Sequence, residues 1–382
     1  MTMLNDDALA LMAAINKKCG AETVVLGSDM VIRNRYTTGS LALDVALGGG
    51  LPANHWTEII GSESAGKTAL CLKIIADNQA RDRSYTTFWL ASERYDEQQA
   101  AALGVDNSRV MVSPTQDMER AFDLLLAATE SQAATCIVLD SYPALLPREE
   151  DEKGMEGFST AVGARLVNQW IRKSGKASQR SVLGTDRPFH GLFVNQYRDK
   201  IGGFHPAFGG PPQTTPGGNG KNYFFYARIE VKRDEYITEK RPGIEQPVKV
   251  GQRIRFTTIK NKSAAPQQRA YVDFYFRGAP FLGFRRGDFD LGREYVEMGR
   301  LFGVIQLSGA WHLYGGEKWQ GKDAMRAAIR EDVGLKEKLR ADVLEAASDP
   351  LLVDQIQPEE LKAVTGHHTR KVTRERKSEA GA

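Results

Sequence analysis

Between residues 57 and 277 the chain alternates between two hydrophobic rhythms. Short runs of β-branched and aromatic residues at 57–60, 86–91, 137–140, 192–195, 228–232, 254–259 and 271–276 predict strands. The stretches 67–80, 118–130 and 161–174 place apolar residues three and four apart and predict helices. Alternation of the two predicts an α/β domain on a central, mostly parallel sheet. Ahead of it, Ala8, Leu11, Ala14 and Ile15 lie at helical spacing within 6–19, and an apolar strand-like run follows at 23–26. This arm is too small to fold alone. It packs on its own core or docks onto a neighbouring subunit.

Two stretches interrupt the pattern, an acidic one at 149–156 and a glycine- and proline-rich one at 202–220. A loop that long inside a compact domain usually carries function or is disordered. Beyond the large domain, about 284–344 reads as a smaller α/β module. From Gly366 onward the sequence is polar, bears Lys and Arg, and lacks the apolar residues a core needs. The expected division is an N-terminal arm at 1–36, a core at 37–283, a small C-terminal α/β domain at 284–345 and a tail at 346–382 with a disordered end.

Composition changes this picture little. Lys and Arg number 51 against 48 Asp and Glu, a net charge of +3. That sum is too small to announce a polyanionic partner, because phosphate affinity depends on where basic groups cluster. Cys19, Cys71 and Cys136 lie far apart, two of them in apolar stretches, which suits a reducing cytosol and argues against disulfides or zinc. No apolar run reaches the ~20 residues needed to cross a bilayer, and the N-terminus is acidic where a secretion signal is basic. The chain reads as cytoplasmic, with no membrane partner.

The segment Gly61-Ser62-Glu63-Ser64-Ala65-Gly66-Lys67-Thr68 matches the phosphate-loop pattern and sits between a predicted strand and a predicted helix. Its glycines let backbone N–H groups curl around phosphates, and the helix N-terminus adds positive potential. Lys67 reaches the β- and γ-phosphates, and Thr68 offers a hydroxyl to Mg2+. The strand at 137–140 ends in Asp140, where a nucleotide-hydrolysing fold keeps the acid that orients the magnesium shell through water. Elsewhere a strand-ending acid is often only a helix cap. Glu93, just past the strand at 86–91, is either the carboxylate that polarises an attacking water or a solvated loop acid. Asn195 and Gln196 end another apolar strand and lead into the long glycine-rich loop; they sense a γ-phosphate or form an ordinary polar strand end.

Taken in order, these motifs resemble the bacterial and phage RecA recombinase family. The resemblance rests on Thr38-Gly39-Ser40-Leu41-Ala42-Leu43-Asp44, the phosphate loop, Val138-Leu139-Asp140-Ser141, and Asn195-Gln196-Tyr197-Arg198-Asp199-Lys200-Ile201-Gly202. It continues through Thr214-Thr215-Pro216-Gly217-Gly218-Asn219, Lys260-Asn261-Lys262-Ser263-Ala264-Ala265-Pro266, and Ala310-Trp311 with Gly316-Glu317-Lys318-Trp319-Gln320-Gly321-Lys322. It implies a RecA-like phosphate-loop ATPase core that uses ATP and Mg2+. It further implies a DNA-dependent ATPase that forms open helical filaments on single-stranded DNA and pairs it with a homologous duplex in recombination and repair. Loading proteins and a single-stranded-DNA-binding protein are the implied further partners.

The resemblance also assigns residues. Ala69 and Asp96 join the nucleotide contacts. A first DNA-binding loop falls at 153–159, with Met155 and Phe158 as apolar wedges, and a second at 198–220, with Arg198, Asp199, Lys200, Ile201, Gly202, Thr215, Gly217, Gly218 and Asn219. Arg165, Asn168 and Arg172, on one helical face, fall where the family contacts the DNA backbone. Gln196 falls on the γ-phosphate sensor and Tyr223 on an aromatic that relays its signal across the subunit interface. Lys260 and Lys262 fall on paired lysines that reach the neighbour's ATP site, where two cations stabilise charge on the transferring phosphoryl. The arm then docks onto the adjacent core, a heterologous contact of the kind that builds open filaments.

Three features depart from the family pattern. In an ungapped comparison Ser92, not Glu93, falls on the catalytic glutamate, so assigning Glu93 needs a one-residue shift. Gly209-Gly210-Pro211-Pro212 lengthens the second loop. The tail ends basic, at Arg370, Lys371, Arg374, Arg376 and Lys377, where family tails are commonly acidic, which implies extra DNA contact instead of autoinhibition. The alternative readings are a nucleotide-gated DNA-coating scaffold with little turnover, and a ring helicase of the same ATPase superfamily. The helicase needs a closed hexamer and an attached domain that the sequence does not suggest.

Overall fold

The computed structural model describes residues 5–20, 23–27, 34–131, 133–153, 162–184, 188–199 and 213–349. It divides into two units, Met1–Leu291 and Gly292–Ala382.

The first unit is built on an eight-stranded sheet. Its strands are β1 (His55–Ile60), β2 (Thr87–Ala91), β3 (Val110–Pro114), β4 (Cys136–Asp140), β5 (His190–Asn195), β6 (Ala227–Glu239), β7 (Val248–Asn261) and β8 (Arg269–Phe274). They lie in the order β8-β7-β6-β1-β5-β4-β2-β3. From β6 to β3 every pairing is parallel, and β7 and β8 extend the sheet antiparallel beyond β6. Its helices include α1 (Asp6–Cys19), α2 (Leu41–Ala46), α3 (Lys67–Arg81), α4 (Glu97–Ala102), α5 (Met118–Ser131), α6 (Val162–Gly184) and α7 (Gly220–Phe224).

Strands β4 and β5 are buried along their whole length and β1 from Trp56 onward. Both faces are covered, which is why these strands read as continuous apolar runs without alternation. One core cluster joins Trp56, Phe122, Leu125, Ile137, Trp170, Phe189, Phe193 and Phe225. Trp56 and Trp170 meet edge to face at 4.9 Å between ring centroids. Burying each large apolar side chain contributes about 1.5–3 kcal/mol, so this cluster fixes the framework on which the loops stand.

The seven predicted strands and three predicted helices all coincide with elements of this unit, with three differences. Strand β3 is absent from the prediction: it is a sheet edge on which Met111 and Val112 stay exposed, so its five residues carry no buried run. Helix α6 continues past 174 to Gly184; the Ser174-Gly175 step does not end it, because Ser174 is buried and Gly175 lies against the Phe224 ring. The run at 23–26 forms no strand. Val24 instead exchanges both of its backbone hydrogen bonds with the Asn16 side chain, at 2.8 and 2.9 Å. Helix α1 is capped by Asn5, whose Oδ1 accepts from Ala8 N at 2.9 Å, and buries none of its residues.

The boundary of the first unit falls after Leu291, beyond the 283 expected. Residues 284–290 fold back on the core: Tyr275 stacks on Phe284 at 4.1 Å, and Phe289 bridges to Phe274. The second unit contains α8 (Leu291–Leu301) from Gly292 onward, a three-stranded antiparallel sheet of β9 (Gln306–Ser308), β10 (Trp311–Tyr314) and β11 (Glu317–Gln320), then α9 (Lys322–Glu331) and α10 (Val333–Ser348). Tyr295, Met298, Ile305, Met325, Ile329, Leu339 and Val343 are among its buried apolar residues. The basic tail and the inserted 209–212 lie outside the described residues.

Candidate active site and adjoining loop

Strands β1, β5, β4 and β2 are neighbours in that order and parallel, so their C-terminal ends bring four loops to one edge of the sheet. This is the edge at which open α/β sheets hold their ligands. The four ends carry Gly61, Gln196, Ser141 and Ser92.

After β1 the phosphate loop turns tightly into α3. At Gly61 a Cβ would lie 2.4 Å from Val231 O on β6, and at Gly66, with φ 106°, 2.6 Å from Ile254 Cδ1. Only glycine fits at these two corners. Lys67 opens α3 and folds back over the loop, donating from Nζ to Gly61 O at 3.1 Å and Ser62 O at 2.7 Å. Burial lowers its pKa, opposed by the nearby carboxylates of Asp140 and Glu93. Ala69 is buried in the first turn of α3, and Glu63 and Ser64 are exposed on the loop.

Thr68 Oγ1 donates to Asp140 Oδ2 at 2.8 Å. Asp140 is 7% exposed. Its pKa is pushed up to about 6, chiefly by burial and further by Glu93, while the Thr68 hydroxyl and Lys67 pull it down. The two candidates for the catalytic carboxylate position behave differently. Ser92 is 4% exposed and donates its hydroxyl to Ser141 O at 2.6 Å. Glu93 is exposed, accepts from the Ser141 hydroxyl, and acts electrostatically on both Lys67 and Asp140. Backbone N–H groups of both residues donate to Asp140 O, at 3.1 and 3.2 Å, which locks the end of β2 to the end of β4. Asp96 caps α4, accepting from Gln98 N and Gln99 N.

At the end of β5 the two amides take different roles. Asn195 is buried: its Oδ1 accepts from Gln196 N at 2.9 Å, and its Nδ2 donates to Glu58 at 2.8 Å and to Pro216 O at 3.2 Å. Gln196 is partly exposed at the sheet edge. The base of the long loop is closed by a short antiparallel ribbon, Arg198–Asp199 against Gln213–Thr214. Past it, Gly217 and Gly218 both take positive φ and Asn219 precedes α7. Asn168 on α6 donates to Ala164 O and lies beneath Gly218 and Gly220. On the same helix Arg165 approaches Glu149 at 3.4 Å and Arg172 is exposed. Met155, Phe158, Lys200, Ile201 and Gly202 lie outside the described residues.

Lys260 and Lys262 flank Asn261, the last residue of β7. Lys260 is paired with Arg228 near the start of β6, level with Glu58 on β1. Its Nζ donates to Asn222 O, Tyr223 O and Phe225 O at 2.7, 2.9 and 2.7 Å, capping the C-terminus of α7. Burial, reinforced by Lys262 and Arg228, lowers its pKa to about 8. Lys262 sits 5.8 Å from the centroid of the Tyr226 ring, and Tyr223 is 80% exposed. Sequence reading missed Glu58, Lys221, Arg228 and Ser141, whose partners become visible only in the fold.

The sheet order, the glycine-cornered loop, and the Lys67, Thr68, Asp140 and Glu93 grouping define a phosphate-loop nucleotide-hydrolysing enzyme. Comparison with known proteins narrows this. The family profile described as RecA N-terminal domain matches residues 7–279. Protein RecA of Chlorobium chlorochromatii is 35% identical over 339 residues, 87% of this chain and 88% of the relative. Protein RecA of Acidothermus cellulolyticus is 36% identical over 310 residues, 81% of this chain and 82% of the relative. Protein RecA of Leptospira meyeri is 33% identical over 376 residues, 97% and 90%. The chain belongs to the RecA family. It is accordingly a recombinase of DNA repair and a DNA-dependent ATPase that binds single- and double-stranded DNA and forms filaments. Among the described residues no helix is long and apolar enough to cross a membrane.

Proposed function

We propose that ATP binds at the C-terminal edge of the sheet, with its phosphates cradled by residues 61–66, Lys67 on the β- and γ-phosphates and Ala69 and Asp96 completing the contacts. The observation that carries this reading is the convergence of Lys67, Thr68, Asp140 and Glu93 on one glycine-cornered loop. Thr68 and Asp140 offer hard oxygen donors 2.8 Å apart. That set suits Mg2+, which takes one or two protein oxygens and completes its shell with phosphate and water. Thr68 would ligate it directly and Asp140 through water; when bound, Mg2+ neutralises charge on the phosphates. Glu93 then holds the attacking water and takes its proton, while the Ser141 hydroxyl fixes the carboxylate.

Lys260 and Lys262 serve the neighbouring copy's site, a reading supported by the hold of Lys260 on the carbonyls around the exposed Tyr223. Hydrolysis therefore requires assembly. Helix α1 supports the same view: with Leu9 and Leu11 exposed, it is free to dock onto the next copy. DNA follows the two loops. Arg165, Asn168, Arg172, Arg198, Lys200 and the backbone at Thr215, Gly217, Gly218 and Asn219 contact phosphates and leave sequence recognition to base pairing. Met155 and Phe158 separate strands, and Asp199, Ile201 and Gly202 shape the second loop around the bound strand. Gln196 reports the γ-phosphate to that loop. The site works in the cytoplasm of a bacterial or phage-infected cell, with loading and single-stranded-DNA-binding proteins as further partners.

Strand exchange and ATP hydrolysis, measured with and without single-stranded DNA, test this reading. Wild type is expected to hydrolyse ATP faster on DNA and Lys67→Ala to do neither reaction. Strand exchange by Lys67→Ala at the wild-type rate with ATP would overturn it.

A further inference from the structure

Glu58 is fully buried on β1, three residues before the phosphate loop. A carboxylate inside a parallel sheet is costly to desolvate unless its lone pairs are filled by donors. Here they are. Oε1 accepts from Lys221 Nζ and Asn195 Nδ2, each at 2.8 Å, and Oε2 accepts from Arg228 Nε at 2.6 Å. Lys221 is fully buried as well, and its remaining donors go to Thr215 Oγ1 at 2.6 Å and Asn222 Oδ1 at 3.0 Å.

One carboxylate thus ties together five parts of the fold: the strand that launches the phosphate loop, the end of β5 beside Gln196, the returning end of the long loop at Thr215 and Pro216, helix α7, and β6. Both donors of the Asn195 amide are committed, to Glu58 and Pro216 O, while its oxygen holds Gln196 N. A shift of the Gln196 backbone turns that amide and so pulls on Pro216 or on Glu58. Lys221 offers the loop a second tether through Thr215. Buried charged groups that lose a partner are left with an uncompensated charge, so the cluster moves as a block instead of loosening bond by bond.

We infer that the Glu58–Lys221 pair is the positioning clamp through which Gln196 and the Thr215–Gly218 end of the second loop are set together, making DNA affinity depend on the bound nucleotide. This rests on the nucleotide and DNA-loop roles proposed above. Lys221 touches neither ligand; it acts through Asn195, Thr215 and α7.

The test compares single-stranded-DNA affinity in the presence of a non-hydrolysable ATP analogue and of ADP, by fluorescence anisotropy on a labelled oligothymidylate, for wild type, Lys221→Met and Glu58→Gln/Lys221→Met. The double variant removes the ion pair as a unit, so it keeps the test valid where the single variant leaves Glu58 short of a donor and fails to fold. In wild type the analogue is expected to tighten DNA binding relative to ADP. In the variants that ratio is expected to fall about tenfold or more, toward one, the scale of ordinary coupling between sites, while affinity for a fluorescent ADP derivative is unchanged. A merely structural role would weaken DNA binding equally with both nucleotides and leave the ratio intact, which overturns the inference. A wild-type ratio of one would instead overturn the reading of the site, and the inference with it.

Discussion

The one-residue ambiguity between Ser92 and Glu93 is decided by a pair of substitutions. Glu93→Gln keeps the length of the side chain and an oxygen able to accept from the Ser141 hydroxyl, and removes only the charge and the proton-accepting group. Loss of a positioned general base typically costs 10²–10⁴-fold in rate, about 2.7–5.4 kcal/mol of barrier. DNA-stimulated turnover is expected to fall by that much, with nucleotide affinity preserved because Lys67 and Thr68 are untouched. Ser92→Ala removes a buried hydroxyl whose proton goes to Ser141 O at 2.6 Å. The expected effect is about 1 kcal/mol of stability, the usual net value of one hydrogen bond, and no comparable loss of turnover. Steady-state ATP hydrolysis on single-stranded DNA, with urea unfolding alongside, separates the two effects. Glu93→Gln turning over near the wild-type rate, or Ser92→Ala losing a hundredfold or more, would refute the assignment; the scaffold reading predicts near-zero turnover in wild type too.

Three further outcomes are expected. His190 is buried with its pKa lowered to about 3 by desolvation, and its Nε2 lies 2.7 Å from the Tyr85 hydroxyl. The unfolded chain binds a proton there below the ordinary His pKa of ~6.5 and the folded chain does not, so this stability is present above that value and is lost as pH falls toward 3. The loss is about 2 kcal/mol by pH 5, and His190→Gln should flatten that part of a urea-unfolding pH series. Lys67→Ala and Lys260→Met are each expected to be inactive alone but to recover ATP hydrolysis when mixed on DNA, since a mixed filament contains interfaces with an intact loop facing an intact lysine; no recovery would count against delivery in trans. Gly61→Ala places a Cβ 2.4 Å from Val231 O, an overpacking that costs about 1–3 kcal/mol, and a fluorescent-nucleotide titration should show weakened binding.

Legibility in the sequence followed burial. Strands β1, β4 and β5 lie under helices on both faces, so their apolar runs were plain. The edge strand β3 exposes Met111 and Val112 and carried no such signal. The phosphate loop was legible because its chemistry is local: eight consecutive residues hold the glycine corners, the lysine and the hydroxyl. The run at 23–26 misled because β-propensity reports fitness for a pleated surface, and in the single chain Val24 finds the Asn16 side chain in place of a strand.

The buried clamp had no such local signature. Glu58 looks like a charge interrupting a strand, and its partners Asn195, Lys221 and Arg228 stand 137, 163 and 170 residues away. Nothing in the spacing brings them together; the parallel register of β1 with β5 and β6 does. The same holds for Lys260 and Lys262. As sequence they are two cations at a strand end, and most such pairs are solvated and contribute little. Antiparallel pairing of β7 with β6 puts Lys260 at the level of Arg228 and Glu58, where its ammonium meets the carbonyls of Asn222, Tyr223 and Phe225. On the proposed reading, in which these lysines serve a neighbouring copy, the ATP site is completed only between copies. The partners that Lys260 meets follow from strand pairing, a property that no short motif encodes.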